Sequence, residues 1–84
     1  MYFVYILRSI KYPKRLYVGL TEDINKRLET HNDKSSQYTK AYAPWELESY
    51  ICLKDKKSAE ELEEYLKSGS GFAFLKKRLL PSNG

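Results

Sequence analysis

The chain's only histidine stands four residues after an arginine, on a stretch with a helical pattern. From Asp23 to Asp33 the sequence reads D-I-N-K-R-L-E-T-H-N-D. At helical spacing Ile24, Arg27, Leu28 and His31 share one side, while Asn25, Lys26 and Glu29 point away. The side that should bury apolar groups therefore carries a guanidinium and an imidazole. A second stretch, S-A-E-E-L-E-E-Y-L-K, does the same with an acid. Glu63 falls among Ala59, Leu62 and Leu66, and Glu60, Glu61 and Glu64 face outward. Charges on inward faces are costly unless paired or used. An arginine forks onto phosphate oxygens, an imidazole relays protons near neutrality, and a carboxylate holds a hard divalent cation. Two such helices in one small chain point to a shared site. The plainer alternative is structural: a buried Arg27–Glu63 ion pair, a snorkelling arginine and a satisfied core histidine.

The elements that must position these groups belong to a chain of 84 residues, enough for one domain with a small core. The single cysteine, Cys52, lies in an apolar run and is expected to be a buried small hydrophobe. One Cys and one His exclude an internal disulfide and a zinc site built from those ligands. The apolar start, M-Y-F-V-Y-I-L, lacks a basic leader and a small-residue cleavage site, so it does not read as a signal peptide. No apolar run reaches membrane-spanning length. The expected setting is reducing and cytoplasmic, with no membrane association and a monomeric state. The net charge of +4 is uneven: residues 1–42 hold eight Lys/Arg against four acids, and the remainder holds seven of each. The basic half also carries six of the eight tyrosines. Basic charge interleaved with aromatics is compatible with nucleic acid, though charge alone equally describes a slightly basic soluble surface.

Met1 to Arg8 is a continuous apolar run that predicts a central strand. Ser9 to Lys14 reads as a hairpin loop, and Arg15 to Gly19 as a second, antiparallel strand. Thr21 is a candidate N-cap for the first helix, which is expected to end near Asn32. The polar stretch from Asp33 to Tyr42 predicts a loop closed by Pro44, and Trp45 to Leu53 a third strand. Ser58 with Glu61 forms a capping-box pattern at the start of the second helix. The S-G-S-G run (68–71) is expected to end that helix, with a third from about Phe72 to Leu80 and a frayed tail over 81–84. The order is ββαβαα. The fold class is α+β, a small single domain over residues 1–80 with a three-stranded antiparallel sheet flanked by helices.

The opening strands carry V-Y-I-L (4–7) and Y-V-G (17–19). The next helix carries Arg27 and His31, and the later one Glu63. With P-W-E-L before the third strand and Y-L-K-S-G-S-G-F near the end, this ordered set resembles the GIY-YIG nuclease superfamily, in particular its small stand-alone bacterial branch. The resemblance covers nearly the whole chain. It implies a three-stranded antiparallel sheet with flanking helices and metal-dependent hydrolysis of DNA phosphodiesters. Tyr5 and Tyr17 take the places of the two motif tyrosines, Gly19 of the motif glycine, and Arg27, His31 and Glu63 of the arginine, the histidine and the metal-binding glutamate.

On that resemblance, Glu63 would hold Mg²⁺ (or Mn²⁺) on the phosphate and the leaving oxygen. Arg27 and His31 would bind phosphoryl oxygens. Tyr17 would act as general base toward water, with Tyr5 hydrogen-bonding beside it. A phenol, with its pKa of about 10, is a weak base at neutral pH, so neighbouring cations are expected to lower it. Gly19 would allow close approach of the backbone, or mark a bulge. From their place in the polar loop, Tyr38, Thr39, Lys40 and Tyr42 are candidates to contact the DNA backbone, though an exposed polar loop needs no function.

Three positions depart from the branch's pattern: Leu62 and Phe72 stand where it places arginine, and Ala43 where a basic residue precedes P-W. Each removes positive charge from an expected DNA-facing position and bears on binding more than on chemistry. The leading expectation is an Mg²⁺-dependent DNA endonuclease of low sequence specificity and structure-based preference, acting in DNA repair or recombination. The alternatives are a nucleic-acid-binding module with little or no cleavage, and a protein-interaction module whose inward charges form a core pair.

Overall fold

The computed structural model describes residues 1–32 and 37–80. A three-stranded antiparallel sheet is formed by β1 (Tyr2–Ser9), β2 (Leu16–Thr21) and β3 (Trp45–Leu53), in the order β2-β1-β3. The central strand is the one with no alternation. Val4, Tyr5, Ile6 and Leu7 are all buried, because both faces of β1 are covered. Between the strands lie helix α1 (Ile24–Asn32) and a single turn, α2 (Gln37–Lys40). After β3 come α3 (Lys56–Lys67) and α4 (Gly69–Arg78). The expected α+β class and ββαβαα order hold, with α2 as an added turn.

The pleat divides the core. Val4, Ile6 and Val18 pack with Ala59 and Leu66 of α3 and Leu75 of α4 on one face. Tyr5, Leu7 and Trp45 pack with Tyr17, Leu28 and Leu47 on the other. In register, Tyr5 faces Gly19 and Leu7 faces Tyr17 across β1–β2, and an irregularity in the β1–β3 pairing falls between Ile6 and Leu7. The second face is covered by α1 at one end only. Toward the other end Phe3, Tyr50 and Cys52 lie in adjacent register positions. Cys52 is consequently exposed, not buried as expected. An apolar run on a strand alternates faces, and among the described residues no helix covers Cys52.

The helix starts also differ from expectation. Asp23 caps α1 by accepting from the Lys26 amide (3.0 Å), and Thr21 supports it through the Asp23 amide (3.1 Å). At α3 the cap is Asp55. Its carboxylate accepts from the amide and hydroxyl of Ser58, which hold its pKa below the ordinary value. Ser58 is thus a partner of the cap and lies inside the helix. The S-G-S-G run is a junction. Ser68 ends α3 and caps α4, which begins at Gly69. Any side chain on Gly71 would overlap the Tyr65 carbonyl, so glycine is what lets α4 fold back tightly onto α3. Part of the expected 33–42 loop is α2, and the expected frayed tail, 81–84, lies outside the described residues.

Candidate active site

Tyr5 is the hub. Its ring crosses Gly19 on β2, where a Cβ would overlap the ring and hydroxyl. That contact carries the Tyr5 hydroxyl toward α1, where two side chains meet it. Arg27 donates from Nε (3.3 Å), and His31 lies with Nε2 at 3.0 Å. The other imidazole nitrogen, Nδ1, is 2.9 Å from the Thr39 hydroxyl. Arginine only donates, so the Tyr5 oxygen accepts from Arg27. A neutral imidazole donates from one nitrogen and accepts at the other, so of Tyr5 and Thr39 one donates to His31 and the other accepts from it. The result is a hydrogen-bonded chain from Arg27 through Tyr5 and His31 to Thr39.

Helix spacing explains half of this geometry. Arg27 and His31 are one turn apart on α1, so both reach the sheet at the same level. They differ sharply in burial, however. His31 is fully buried, whereas Arg27 is exposed with its guanidinium laid back over the tyrosines. The expectation of an inward-facing arginine is corrected in this respect. The long side chain reaches the site from the rim, which spares the cost of burying a guanidinium. Thr39, expected on an exposed DNA-facing loop, is also fully buried. Its carbonyl accepts from Trp45 Nε1 (2.9 Å), and the Asn32 side chain brackets the Trp45 backbone (2.6 and 3.1 Å). The α2 turn is thereby tied to α1 and β3 behind His31. Lys40 is exposed on that turn, and the Tyr38 side chain lies outside the described residues.

Tyr17 stands on the solvent side. Its half-buried ring lies 4.8 Å from the His31 ring and 6.2 Å from Trp45, and it shares Arg27 with Tyr5. Glu63, on α3, approaches across the edge of β2. Its carboxylate, 23% exposed, accepts from Lys67 Nζ (3.0 Å) and lies close enough to Tyr5 to oppose ionisation of the phenol. Lys67 also sits over the Tyr17 ring, 6.0 Å from its centroid. An open groove of about 280 Å³ borders Tyr17 and Lys67, lined further by Leu16, Val18, Leu66 and Phe72. No ion pair joins Arg27 to Glu63, so the core-pair alternative does not describe this cluster; the carboxylate is met by Lys67.

Burial governs the protonation states. It raises the pKa of Tyr5, against the opposing pull of the Arg27 hydrogen bond, so the cations expected to lower this phenol do not prevail. Burial, with the Arg27 charge second, lowers that of His31, which is therefore neutral at neutral pH. The bond to Tyr5 raises that of Arg27.

A divalent cation fits this arrangement through Glu63. Among the described residues no three His, Cys, Asp or Glu side chains gather in one place. An ion here would take one carboxylate from the protein and its other ligands from water and a phosphate, as hard cations that keep their hydration do. Exposed Lys67 can swing away from the carboxylate to admit it. Lys67, Trp45 and the anchoring role of Thr39 were not legible as site features. Only the i, i+4 spacing of Glu63 and Lys67 offered a signal. The positions where the family resemblance places a basic residue are half-buried and apolar: Leu62 and Phe72, in place of arginine, pack against the α3–α4 core, and Ala43 against the Tyr5–Trp45 cluster.

Among the described residues no helix is long and apolar enough to cross a membrane. The chain is similar to a UPF0213 protein of Bacillus licheniformis, 45% identical over 53 residues covering 62% of this chain and 55% of that protein. The UPF0213 protein YsiG of Lactococcus lactis is 40% identical over 67 residues, 79% of this chain and 62% of the relative. The structure-specific endonuclease subunit slx1 of Talaromyces marneffei is 40% identical over 55 residues, 60% of this chain and 14% of that subunit. The match thus spans little more than half the length of these UPF0213 proteins. The model of the GIY-YIG catalytic domain matches residues 1–77, which makes this chain a member of the GIY-YIG nuclease family.

Proposed function

We propose that the protein is a divalent-metal-dependent DNA endonuclease whose substrate-facing groups are Tyr17, Arg27 and Glu63. The observation that carries this reading is the separation of the cluster into two layers. Tyr5, His31 and Thr39 are buried and joined by hydrogen bonds through His31, while Arg27 is exposed, Glu63 is half-buried, and Tyr17 is half-buried beside an open groove. His31 has both nitrogens engaged and no exposed edge. It therefore acts through Tyr5 as a positioning residue and does not grip phosphate itself. The buried layer fixes where the Arg27 guanidinium lies, and pre-positioning of this kind is where much of the catalytic effect resides.

In the reaction, Arg27 holds the non-bridging phosphoryl oxygens through its fork of donors. Tyr17 Oη, as the phenolate, takes the proton of the water whose oxygen bonds to phosphorus, and the phenol so formed returns that proton to solvent. One P–O ester bond breaks, leaving a phosphate monoester and a hydroxyl that gains a proton from solvent. Glu63 is the residue that would hold Mg²⁺ or Mn²⁺, which when bound supplies Lewis-acid stabilisation of the phosphoryl and leaving oxygens. Lys67 would give up its bond to Glu63 to admit the ion. So small a domain offers few base contacts, which favours recognition of DNA shape over sequence. The similarity to a structure-specific endonuclease subunit supports a preference set by DNA structure, such as branched, nicked or single-stranded DNA; a role in repair or recombination is part of this proposal.

A second reading, binding with little cleavage, is favoured by one observation: half-buried apolar Leu62 and Phe72, packed against the core, stand where the resemblance places arginine. Incubation of the purified protein with nicked, branched and single-stranded DNA, with and without Mg²⁺ or Mn²⁺, separates the two. Metal-dependent nicking that disappears in Glu63→Gln supports the nuclease. Tight binding without products supports the second reading.

A further inference from the structure

The hairpin between β1 and β2 carries features that the cleavage cluster does not use. Its segment from Arg8 to Arg15 (R-S-I-K-Y-P-K-R) holds four cations and no acid. Arg8 is committed to Glu48 (2.8 Å), but Lys11, Lys14 and Arg15 pair with no acid among the described residues. Two large apolar side chains stand out on the same tip: Ile10 is 53% exposed and Tyr12 46%. Exposed aromatic and aliphatic groups on a loop are normally mobile, yet this tip is held firmly. The buried hydroxyl of Ser9 donates to the Tyr42 carbonyl (2.6 Å) and accepts from the Tyr12 amide (2.9 Å). The Ile10 amide donates to the Pro44 carbonyl (2.9 Å), and the Arg15 amide closes the turn on the Tyr12 carbonyl (2.8 Å).

The tip is also joined to the candidate active site by an unbroken line of rings. Tyr17 meets Trp45 at 6.2 Å, Trp45 meets Tyr42 at 6.4 Å, and Tyr42 meets Tyr12 at 5.6 Å, each edge to face. Cations flank the outer rings: Arg15 lies 4.9 Å from the Tyr42 centroid and Lys11 5.8 Å from that of Tyr12. Trp45 is itself buried, so the rings that reach the surface are Tyr12, Tyr42 and Tyr17; with the cations beside them they match the repeating base and phosphate of a nucleic acid strand. An unpaired strand is required, because bases stacked within a duplex have no face to offer.

We propose that the β1–β2 hairpin tip is a docking site for single-stranded nucleic acid, with an unpaired base stacked on Tyr12 and phosphates neutralised by Lys11, Lys14 and Arg15. The strand continues past Tyr42 toward Tyr17. This rests on the nuclease reading only for where the strand leads, and binding at the tip is measured without metal or cleavage. The site makes the preferred substrate one with a single-stranded arm next to the scissile phosphate.

The test is fluorescence anisotropy of a labelled oligo-dT strand and of the matching duplex, without metal, across a salt series. Wild type is compared with Tyr12→Ala, Tyr12→Trp and the double variant Lys11→Ala/Lys14→Ala, each checked for folding by circular dichroism. Tyr12→Ala should weaken single-strand binding about tenfold, as loss of one stacked base does. It should leave duplex binding unchanged, and Tyr12→Trp should retain wild-type affinity. The double lysine variant, which removes only exposed side chains, should reduce the single-strand salt slope by about 1.4, two phosphate contacts' worth. Equal weakening of duplex and single strand by Tyr12→Ala would assign the tip to duplex backbone and overturn the proposal. So would an unchanged salt slope in the lysine variant. Failure of the protein to cut any DNA would count against the nuclease reading and leave these binding results standing.

Discussion

Tyr5 and Gly19 occupy one volume: the phenol ring lies where any side chain on Gly19 would have to be. This cross-strand pair sets the reach of the Tyr5 hydroxyl, and with it the position of Arg27 and His31. Gly19→Ala must push the ring off β2. The expected outcome is a stability loss of about 1–3 kcal/mol, the usual cost of overpacking. DNA cleavage should fall by more than that loss explains, read as cleavage rate at a temperature where the variant is fully folded.

Tyr5→Phe keeps the ring and removes the hydroxyl. It leaves buried His31 Nε2 without its partner and removes one of the two phenols that hold Arg27. Leaving a buried polar group unpaired costs about 1–3 kcal/mol, so chemical denaturation should show a loss in that range. The rate should drop through misplacement of Arg27, with DNA affinity little changed.

His31 gives the fold a pH dependence. Burial and the Arg27 charge hold its folded pKa below the unfolded value, so the unfolded chain binds more protons in the window between the two. The stability it contributes is therefore complete above the unfolded value of about 6.5, and is lost as pH falls from there toward the lower folded pKa. Unfolding free energies measured on either side of that window should show the decrease in wild type and a flatter profile in His31→Gln. A wild-type profile equally flat would contradict the buried, neutral assignment.

Lys67→Ala removes the partner of Glu63. The pair is partly exposed and spaced i, i+4, so the melting temperature should barely move: such pairs contribute about 0.3–0.5 kcal/mol. The carboxylate no longer has a competing cation, and Mn²⁺ affinity by calorimetry should rise. Unchanged or weaker Mn²⁺ binding would mean that Lys67 does not guard the metal position.

What the sequence made legible follows from where periodicity operates. The third strand, Trp45–Leu53, was readable to the residue because alternation begins at Trp45 and a turn follows Leu53. Arg27 and His31 were correctly placed on one helix side, since spacing alone determines that. Their unequal burial was not legible, because it depends on how far α1 stands from the sheet and on the length of each side chain. Thr39 was hidden for a related reason. A polar residue in a polar stretch carries no sign that a buried histidine 2.9 Å away requires its hydroxyl. Cys52 misled because an apolar run does not reveal that a helix covers only part of one sheet face. At α3, Asp55 and Ser58 both suit a cap, and only coordinates distinguish the acceptor from the donor.

The most direct test is single-turnover cleavage of a branched or nicked DNA by wild type, Glu63→Gln and Tyr17→Phe, with DNA affinity measured on the same preparations. The expected result is metal-dependent cleavage by wild type and a fall of about 10²–10⁴-fold in each variant, the scale of a lost proton-transfer or metal-holding group, with affinity nearly intact. Cleavage by Glu63→Gln at the wild-type rate would contradict the account.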